Sequence, residues 1–202
     1  MVATGGYLAV AFFGNRDVTS DIDVFIDPHV TDNDRYKNKI NKAIWDVAGD
    51  NDIPRDWMNE GMADMIPRRH RTEFFLQSVQ EGLIAYNGTN LQVYAGSLMF
   101  ALESKLRCID RPSQRNTGND MSDALAILRH LTANSQPFST EFFQNLDTYG
   151  VGLLIRGTAI RTVELHFEAT YNKQGIVDYV YDMERQQNGY QDLQGNWVWV
   201  EE

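Results

Sequence analysis

The stretch GNRDVTSDIDVFI, residues 14–26, carries two aspartates inside a run that is otherwise typical of a buried β-strand. Because side chains alternate along a strand, Asp21 and Asp23 point to one face, while Ile22 and Val24 point to the other. Carboxylates placed in this way can share a divalent cation, as the two-metal catalysis of an in-line displacement requires. For an isolated D-x-D motif, however, an acidic strand face that meets solvent is the more common case.

Length and composition indicate one folded domain, or one domain with a small appendage. The 202 residues are 43% hydrophobic and 23% charged, which is typical of a globular chain rather than a disordered one. The formal net charge of -10 argues against a protein that coats nucleic acid or an anionic membrane through bulk electrostatics. A nucleotide bound through a metal stays compatible with this charge, because a divalent cation reverses its sign locally.

Cysteine usage and hydropathy indicate a cytoplasmic protein with no membrane partner. The single cysteine, Cys108, leaves no intrachain disulfide and no thiolate metal cluster, which fits a reducing compartment. The apolar run Tyr7–Phe13 has no basic flank, and it is far shorter than the roughly 20 residues that span a bilayer.

The pattern of apolar and turn residues predicts an α+β fold in which the strands come early and the helices late. A strand is predicted over residues 20–27, a strand or extended loop over 51–57, and short strands across 73–95 around a turn at Asn87-Gly88. Helices are predicted at Tyr7–Phe13, Asn33–Val47, Asn59–Met65, Ser97–Ile109 and Asn119–Leu131. We expect a core over residues 1–133 and a mainly helical C-terminal extension over 134–202 that ends in a short strand at Trp197–Val200.

A glycine pair and a series of polar residues precede the two aspartates. Glycines at the start of a helix let backbone N–H groups approach an anion closely, although an ordinary turn also explains Gly5-Gly6. The series continues, in chain order, through Gly14, Asn15, Arg16 and Thr19 to Asp21 and Asp23.

Taken together, this series resembles the signature of the polymerase-β-like nucleotidyltransferase superfamily. It is most similar to the branch that contains the abortive-infection type nucleotidyltransferase toxins and related uncharacterised proteins. There a glycine pair opens a short helix, and a Gly-x-Arg, a Ser or Thr and Asp-Ile-Asp follow in that order. The resemblance covers about residues 3–131.

The resemblance implies a small mixed sheet flanked by helices, which is the nucleotidyltransferase fold. It implies Mg²⁺ (or Mn²⁺) bound by Asp21 and Asp23, which also makes both residues catalytic. It further implies that the triphosphate is surrounded by residues of the series, namely Gly5, Gly6, Gly14, Asn15, Arg16 and Thr19.

The stretch IPRDWMN, residues 53–59, resembles a D-W-L-N segment that is frequent in this branch. Because the superfamily uses a third carboxylate on a later strand, the resemblance implies that Asp56 is a metal ligand and a catalytic residue. The alternative, a turn residue that follows Pro54, stays open.

Lys105 lies beside the apolar stripe of its predicted helix, three residues after Leu102 and four before Ile109. A lysine in this place either lays its stem along the border of the stripe or carries its charge to a phosphate. Residues 98–128 resemble the later segment of the branch, in which a helix with a lysine precedes a helix that opens with D-x-x-D. The resemblance therefore favours a catalytic Lys105 that neutralises charge in the transition state.

Two further charged groups have structural interpretations that we rank first. Asp120 and Asp123 occupy a first helical turn, where acidic residues are favoured, and one of them is expected to pair with Lys105 or Arg115. The basic cluster at residues 67–71 is expected to be a solvated patch, with phosphate or RNA binding as the alternative.

The sequence departs from the superfamily pattern near the glycine pair. Gly6 stands where the wider superfamily often has serine, so this position offers no hydroxyl to a phosphate. Only four residues precede Gly5 here, and this short segment favours a non-catalytic relative.

The first hypothesis is a nucleotidyltransferase that moves a nucleoside monophosphate from a nucleoside triphosphate to RNA, a protein or a small molecule. Catalysis would consist mainly of positioning and electrostatic stabilisation. The alternative is a catalytically inactive relative that senses nucleotides or binds a protein partner, as in a toxin–antitoxin-like pair. A sugar-nucleotide glycosyltransferase is disfavoured because the glycine pair precedes the carboxylates so closely.

Overall fold

The computed structural model describes residues 1–31, 34–111 and 117–200. The chain divides into two compact units, Met1–Ala101 and Leu102–Glu202. The expected core over residues 1–133 with an extension over 134–202 stays a prediction. Helices flank a mixed sheet, which confirms the α+β expectation at that level. Among the described residues, every helix is too short or too polar to cross a bilayer.

A mixed five-stranded sheet forms the centre of the first unit, in the strand order β3-β2-β1-β5-β4. Its strands are β1 (Val2–Ala3), β2 (Ile22–Phe25), β3 (Met58–Asn59), β4 (Ile84–Asn87) and β5 (Gln92–Ala95). Strand β1 pairs antiparallel with β2 and parallel with β5, and β3 pairs parallel with β2. The predicted strand at residues 20–27 is thus confirmed in a shorter form. Of the two alternatives predicted for residues 51–57, the loop is correct, since the preceding helix ends at Asn51 and β3 begins only at Met58.

Short helical segments connect these strands. The helices of the first unit are α1 (Gly6–Leu8), which continues as a π-helical turn at Ala9–Phe13, α2 (Pro28–Thr31), α3 (Asp34–Asn51) and α4 (Arg71–Glu81). Two 3₁₀ turns lie at Gly61–Met65 and Arg68–His70. The predicted helix that ends at Phe13 is confirmed. The helix predicted at Asn33–Val47 is confirmed as α3, although Asn33 itself lies outside the described residues. A 3₁₀ turn replaces the helix predicted at Asn59–Met65.

The prediction of strands across residues 73–95 is wrong in its first half, because α4 occupies those positions. Phe74 and Ser78, four residues apart, are its buried residues, which is the spacing of one helical face. The second half is confirmed, since β4 and β5 flank a turn closed by a hydrogen bond from Gly88 N to Leu91 O, 2.9 Å.

The core of the first unit decides which way β2 faces. Ala3, Val24 and Val93 are buried together, and Ile22 packs against them from the same side of the sheet. Because side chains alternate along β2, Asp23 is left on the opposite face.

The second unit combines helices with two small sheets. The helix α5 (Leu98–Asp110) runs across the division, and the unit continues with α6 (Thr117–Leu131), α7 (Thr140–Gln144) and α8 (Gly157–Tyr171). Strands β6 (Phe138–Ser139) and β7 (Ile176–Val177) form a parallel pair. Strands β8 (Val180–Asp182), β9 (Gln187–Gln191) and β10 (Trp197–Trp199) form an antiparallel sheet. The predicted helices and terminal strand are confirmed, but the expectation of a mainly helical extension missed β6 to β9.

A second buried group of the first unit, in which Phe74 packs against Phe25 and Phe100, gives a test of the core on the other face of β2. The ring of Phe74 is fully buried and lies edge-on to Phe25 and Phe100, with centroid distances of 5.3 and 5.4 Å. We expect Phe74→Ala to lower the free energy of unfolding by about 3–5 kcal/mol, as measured by urea denaturation, because it opens a cavity in a packed core. Leu76→Ala on the same helix is the control, because Leu76 is 58% exposed, and its effect should stay within about 0.5 kcal/mol. Equal losses in the two variants would contradict the assigned core.

Candidate functional site

The glycine pair lies directly against the aspartate strand. The backbone N–H of Thr4 donates to the carbonyl of Asp23 at 2.9 Å, so the chain that leaves β1 passes over this residue. Gly5 has φ 63° and ψ -146°, a conformation that favours glycine. A Cβ at Gly5 would overlap Oδ2 of Asp23. Glycine at this position therefore lets the carboxylate approach the backbone.

The second glycine lies against two polar side chains. A Cβ at Gly6 would lie 2.5 Å from Oγ1 of Thr19 and 3.3 Å from Nη1 of Arg16. The Thr19 hydroxyl also donates to the carbonyl of Asp21 at 3.1 Å. The Thr19 hydroxyl therefore lies where a side chain at position 6 would be.

The turn after α1 carries Arg16 to this place. The π-helical turn ends at Gly14, which has φ 64° and donates its backbone N–H to the carbonyl of Ala9. The backbone N–H of Asn15 donates to the same carbonyl at 3.0 Å. The chain thus folds back after the turn and brings Arg16 beside Gly6.

Asp21 is held by two neutral donors. The hydroxyl of Ser20 donates to Oδ1 of Asp21 at 3.2 Å, and Nδ2 of Asn59 donates to Oδ2 at 3.5 Å. Asn59 lies in β3, where it is the register partner of Asp23. The acidic face of the strand is therefore bordered by an amide from the neighbouring strand.

Asp56 lies before β3 and is not one of the residues that pair with β2. Its side chain is exposed, and its backbone carbonyl accepts a hydrogen bond from Nδ2 of Asn59 at 3.3 Å. Sequence analysis missed Asn59, whose only signal was the last letter of the D-W-M-N stretch. Within residues 1–31, 34–111 and 117–200, no three His, Cys, Asp or Glu side chains form a group that could hold a metal. The role of Asp56 as a third metal ligand stays a prediction.

Two carboxylates on one strand face nevertheless suit a magnesium ion. Mg²⁺ prefers oxygen ligands and is commonly bound by one or two carboxylates together with substrate phosphates. Asp21 and Asp23 supply such carboxylates, Gly5 lies against that of Asp23, and the side chains of Arg16 and Thr19 lie against the neighbouring Gly6. The donor set therefore fits a divalent cation that is completed by a phosphate ligand.

Lys105 belongs to the second unit, where two carboxylates hold it. Its ammonium lies 2.9 Å from Oδ1 of Asp120 and 2.9 Å from Oδ2 of Asp123. Burial alone lowers the pKa of Lys105, but the hydrogen bonds and charges of Asp123 and Asp120 outweigh it and raise the pKa above its usual value. Both aspartates pair with Lys105, where one such pair was expected, and Arg115 lies outside the described residues. Because α6 begins at Thr117, only Asp120 lies in its first turn, so the expectation that Asp123 does so is wrong. A role of Lys105 at a phosphate stays a prediction.

The basic cluster at residues 67–71 behaves mainly as the expected surface patch. Arg68 and Arg69 are exposed. Arg71 is turned inward and donates to the carbonyls of Ile66 and Ala63 at 3.2 and 2.5 Å. One of the three arginines thus stabilises the 3₁₀ turn at Gly61–Met65.

Comparisons of this chain with protein-family models, curated proteins and solved structures found no match. The functional proposal therefore depends on the arrangement of the chain's own residues.

The contact between Gly6 and Thr19 predicts a compensating pair of substitutions. We expect Gly6→Ala to lower the free energy of unfolding by about 1–3 kcal/mol, because the new methyl group meets the Thr19 hydroxyl. Adding Thr19→Ala to this variant should restore part of the loss, which urea denaturation of both single variants and the double variant would measure as a coupling energy.

Gly49→Ala is the matched control for the Gly6 series. Gly49 lies inside α3, and a Cβ at this position would have nothing within 4 Å. Here alanine should stabilise the protein by up to about 1 kcal/mol, since glycine is the weaker helix former. A gain at both glycines, or additive effects of Gly6→Ala and Thr19→Ala, would contradict the contact.

The Lys105 cluster predicts a stability effect that depends on pH. We expect Lys105→Met to lower the free energy of unfolding at pH 7 by about 3–5 kcal/mol, because it leaves two buried carboxylates without their cation. The pKa of Lys105 is higher in the folded state than in the unfolded state. Its contribution to the free energy of unfolding is therefore complete below the unfolded-state pKa of about 10.4, and it is lost as the pH rises through the folded-state pKa. Urea denaturation of wild type and variant from pH 7 to 11 would measure the difference.

Lys42→Met is the control for this charge removal, because the ion pair of Lys42 with Asp46 is exposed, with side-chain accessibilities of 73% and 58%. Its effect should stay below about 1 kcal/mol at every pH. A similar small effect of Lys105→Met would show that the buried cluster contributes little to stability.

Proposed function

We propose that this protein is a metal-dependent nucleotidyltransferase, which moves a nucleoside monophosphate from a nucleoside triphosphate to an acceptor. The observation that supports the proposal is the meeting of three sequence segments at one place. Asp23 adjoins Gly5, and both Thr19 and Arg16 adjoin Gly6. These are the residues of the ordered series that resembles the superfamily signature, within a mixed sheet flanked by helices.

In this proposal Asp21 and Asp23 hold Mg²⁺ or Mn²⁺. When bound, the cation would neutralise phosphate charge during an in-line displacement at the α-phosphorus. The guanidinium of Arg16 and the hydroxyl of Thr19 would bind phosphate oxygens beside the glycine pair, since guanidinium groups match phosphate geometry. Gly14 and Asn15 form the turn that carries Arg16 to this position. Asp56 and Lys105 are the further candidates, as a third metal ligand and as a neutralising cation.

These residues bind, orient and balance charge, and none of them forms a covalent bond with the substrate. Catalysis would therefore come from positioning and electrostatic stabilisation. The acceptor is RNA, a protein hydroxyl or a small molecule. The net charge of -10 disfavours a large nucleic acid among them.

A second candidate function is a catalytically inactive relative that senses a nucleotide or binds a protein. The observation in its favour is that the register partner of Asp23 is the amide Asn59 and not a carboxylate. The exposure of the Asp56 side chain also favours this second function, because an exposed carboxylate is a weaker candidate for a third metal ligand. Nucleotide binding without transfer would identify this second function.

Calorimetric titration with each of the four nucleoside triphosphates and Mg²⁺ tests the proposal. We expect at least one of them to bind wild type, and binding to weaken by about tenfold or more, equal to 1.4 kcal/mol, in Asp21→Ala/Asp23→Ala. The control is Asp46→Ala/Asp50→Ala, which removes two exposed aspartates from α3. A folded wild type that binds none of the four nucleotides would overturn both functions that involve a nucleotide.

A transfer assay separates the two candidates. The protein is incubated with the bound nucleotide labelled at its α-phosphate, together with RNA, protein or small-molecule acceptors. Transfer of label that is lost in Asp21→Ala/Asp23→Ala supports the enzyme. Binding that depends on Mg²⁺ but yields no transfer to any of the acceptor classes supports the sensor.

A further inference from the structure

The orientation of the Asn59 side chain is set by the backbone that follows it. The backbone N–H of Gly61 donates to Oδ1 of Asn59 at 2.8 Å. Because a backbone N–H can donate only to the oxygen of an amide, the NH₂ group of Asn59 must face the other way. There Nδ2 donates to Oδ2 of Asp21 at 3.5 Å and to the carbonyl of Asp56 at 3.3 Å. Asn59 therefore offers Asp21 a donor and not a metal ligand.

The absence of a side chain at Gly61 leaves room for the Asn59 amide oxygen. A Cβ at Gly61 would lie 2.9 Å from Oδ1 of Asn59, closer than real side chains approach such an atom. The glycine thus lets its own N–H reach the amide oxygen. The amide is held at both of its ends, so its NH₂ group is a fixed feature of this part of the site.

The strand register gives Asn59 its place beside the two carboxylates. Asn59 and Asp23 are paired positions of the parallel strands β3 and β2. Paired residues of neighbouring strands have side chains on the same face of the sheet. The side chains of Asp21, Asp23 and Asn59 therefore carry a formal charge of -2 between them, where a carboxylate at position 59 would give -3; the guanidinium of Arg16 beside Gly6 adds +1 to either sum.

We propose that Asn59 is a positioning residue that orients the carboxylate of Asp21, and that it restricts the site to one divalent cation. This inference rests on the proposed function, because it concerns the metal site assigned there. Two carboxylates together with phosphate oxygens are a common ligand set for a single Mg²⁺. Two cations about 4 Å apart repel each other and need further anionic ligands. A carboxylate at position 59 would be such a ligand, and Asn59 presents an NH₂ donor to Asp21 instead.

Binding of Mn²⁺ alone, followed by the electron paramagnetic resonance signal of the free ion, tests this inference without an activity assay. We expect wild type to bind one Mn²⁺ per chain. Asn59→Ala should still bind one, but about 10–100-fold more weakly, because loss of a hydrogen bond to a metal ligand has an effect of this size. Asn38→Ala, at an exposed position of α3, is the control and should bind as wild type does.

Asn59→Asp is the second variant, because an aspartate keeps an oxygen acceptor for the Gly61 N–H and adds a carboxylate beside Asp21. It keeps the test valid even where Asn59→Ala does not fold. We expect it to bind a second Mn²⁺ per chain, visible as a spin-coupled signal. Two Mn²⁺ in wild type, one in Asn59→Asp, or equal affinities in wild type and a folded Asn59→Ala would each overturn the inference.

Failure of the proposed function gives a different result. A wild type that binds no Mn²⁺, or an Asp21→Ala/Asp23→Ala variant that binds it as tightly as wild type does, would remove the metal site itself. A metal that needs Asp21 and Asp23 but is indifferent to Asn59 would leave the proposed function intact and overturn only the role of Asn59.

Discussion

The alternation of side chains along β2 is the constraint on which the candidate site depends. Val24 is fully buried against Ala3, its partner in β1, and this pairing fixes the register of the two strands. A slip of one residue would turn Asp23 toward Ala3 and Val93 and remove Val24 from that cluster, which places a charged group among apolar side chains. The same pairing carries the chain from β1 over Asp23, so that Gly5 reaches the carboxylate. The hydrophobic core therefore positions a polar site that shares none of its residues.

Two pairs of aspartates in this chain have different surroundings. Asp120 and Asp123 are buried in their unit and are balanced by the ammonium of Lys105, so their charge is neutralised within the fold. Asp21 is only partly buried and accepts hydrogen bonds from neutral groups, the hydroxyl of Ser20 and the amide of Asn59. Neutral donors orient a carboxylate without cancelling its charge. The charge of Asp21 is therefore not cancelled by these two donors, whereas the charges of Asp120 and Asp123 are balanced by Lys105.

Periodicity predicted the parts of this structure that are local. The strand β2, the turn at Gly14 and the helices around Lys105 follow from spacing alone, and the structure confirms them. The helix α4 was misjudged because its adjacent aromatic residues favour strands, whereas the spacing of Phe74 and Ser78 that marks the helix is visible only once burial is known. The short strands of the second unit depend on pairing between distant segments, which periodicity does not report. The position of Asn59 was missed for the same reason, since a two-residue strand has no pattern of its own.

The contact between Gly6 and Thr19 shows that a group missing at one position of a motif can be present nearby in the folded chain. A glycine at position 6 counts against a phosphate site if each position is compared alone, because it offers no hydroxyl. In the folded chain the Thr19 hydroxyl stands 2.5 Å from where the Cβ of residue 6 would be, and only a glycine leaves room for it. The two positions are therefore coupled in space, because the Thr19 hydroxyl, thirteen residues along the chain, lies where a side chain at residue 6 would be. A departure from a motif weakens a functional assignment only when no neighbouring side chain fills the vacated space.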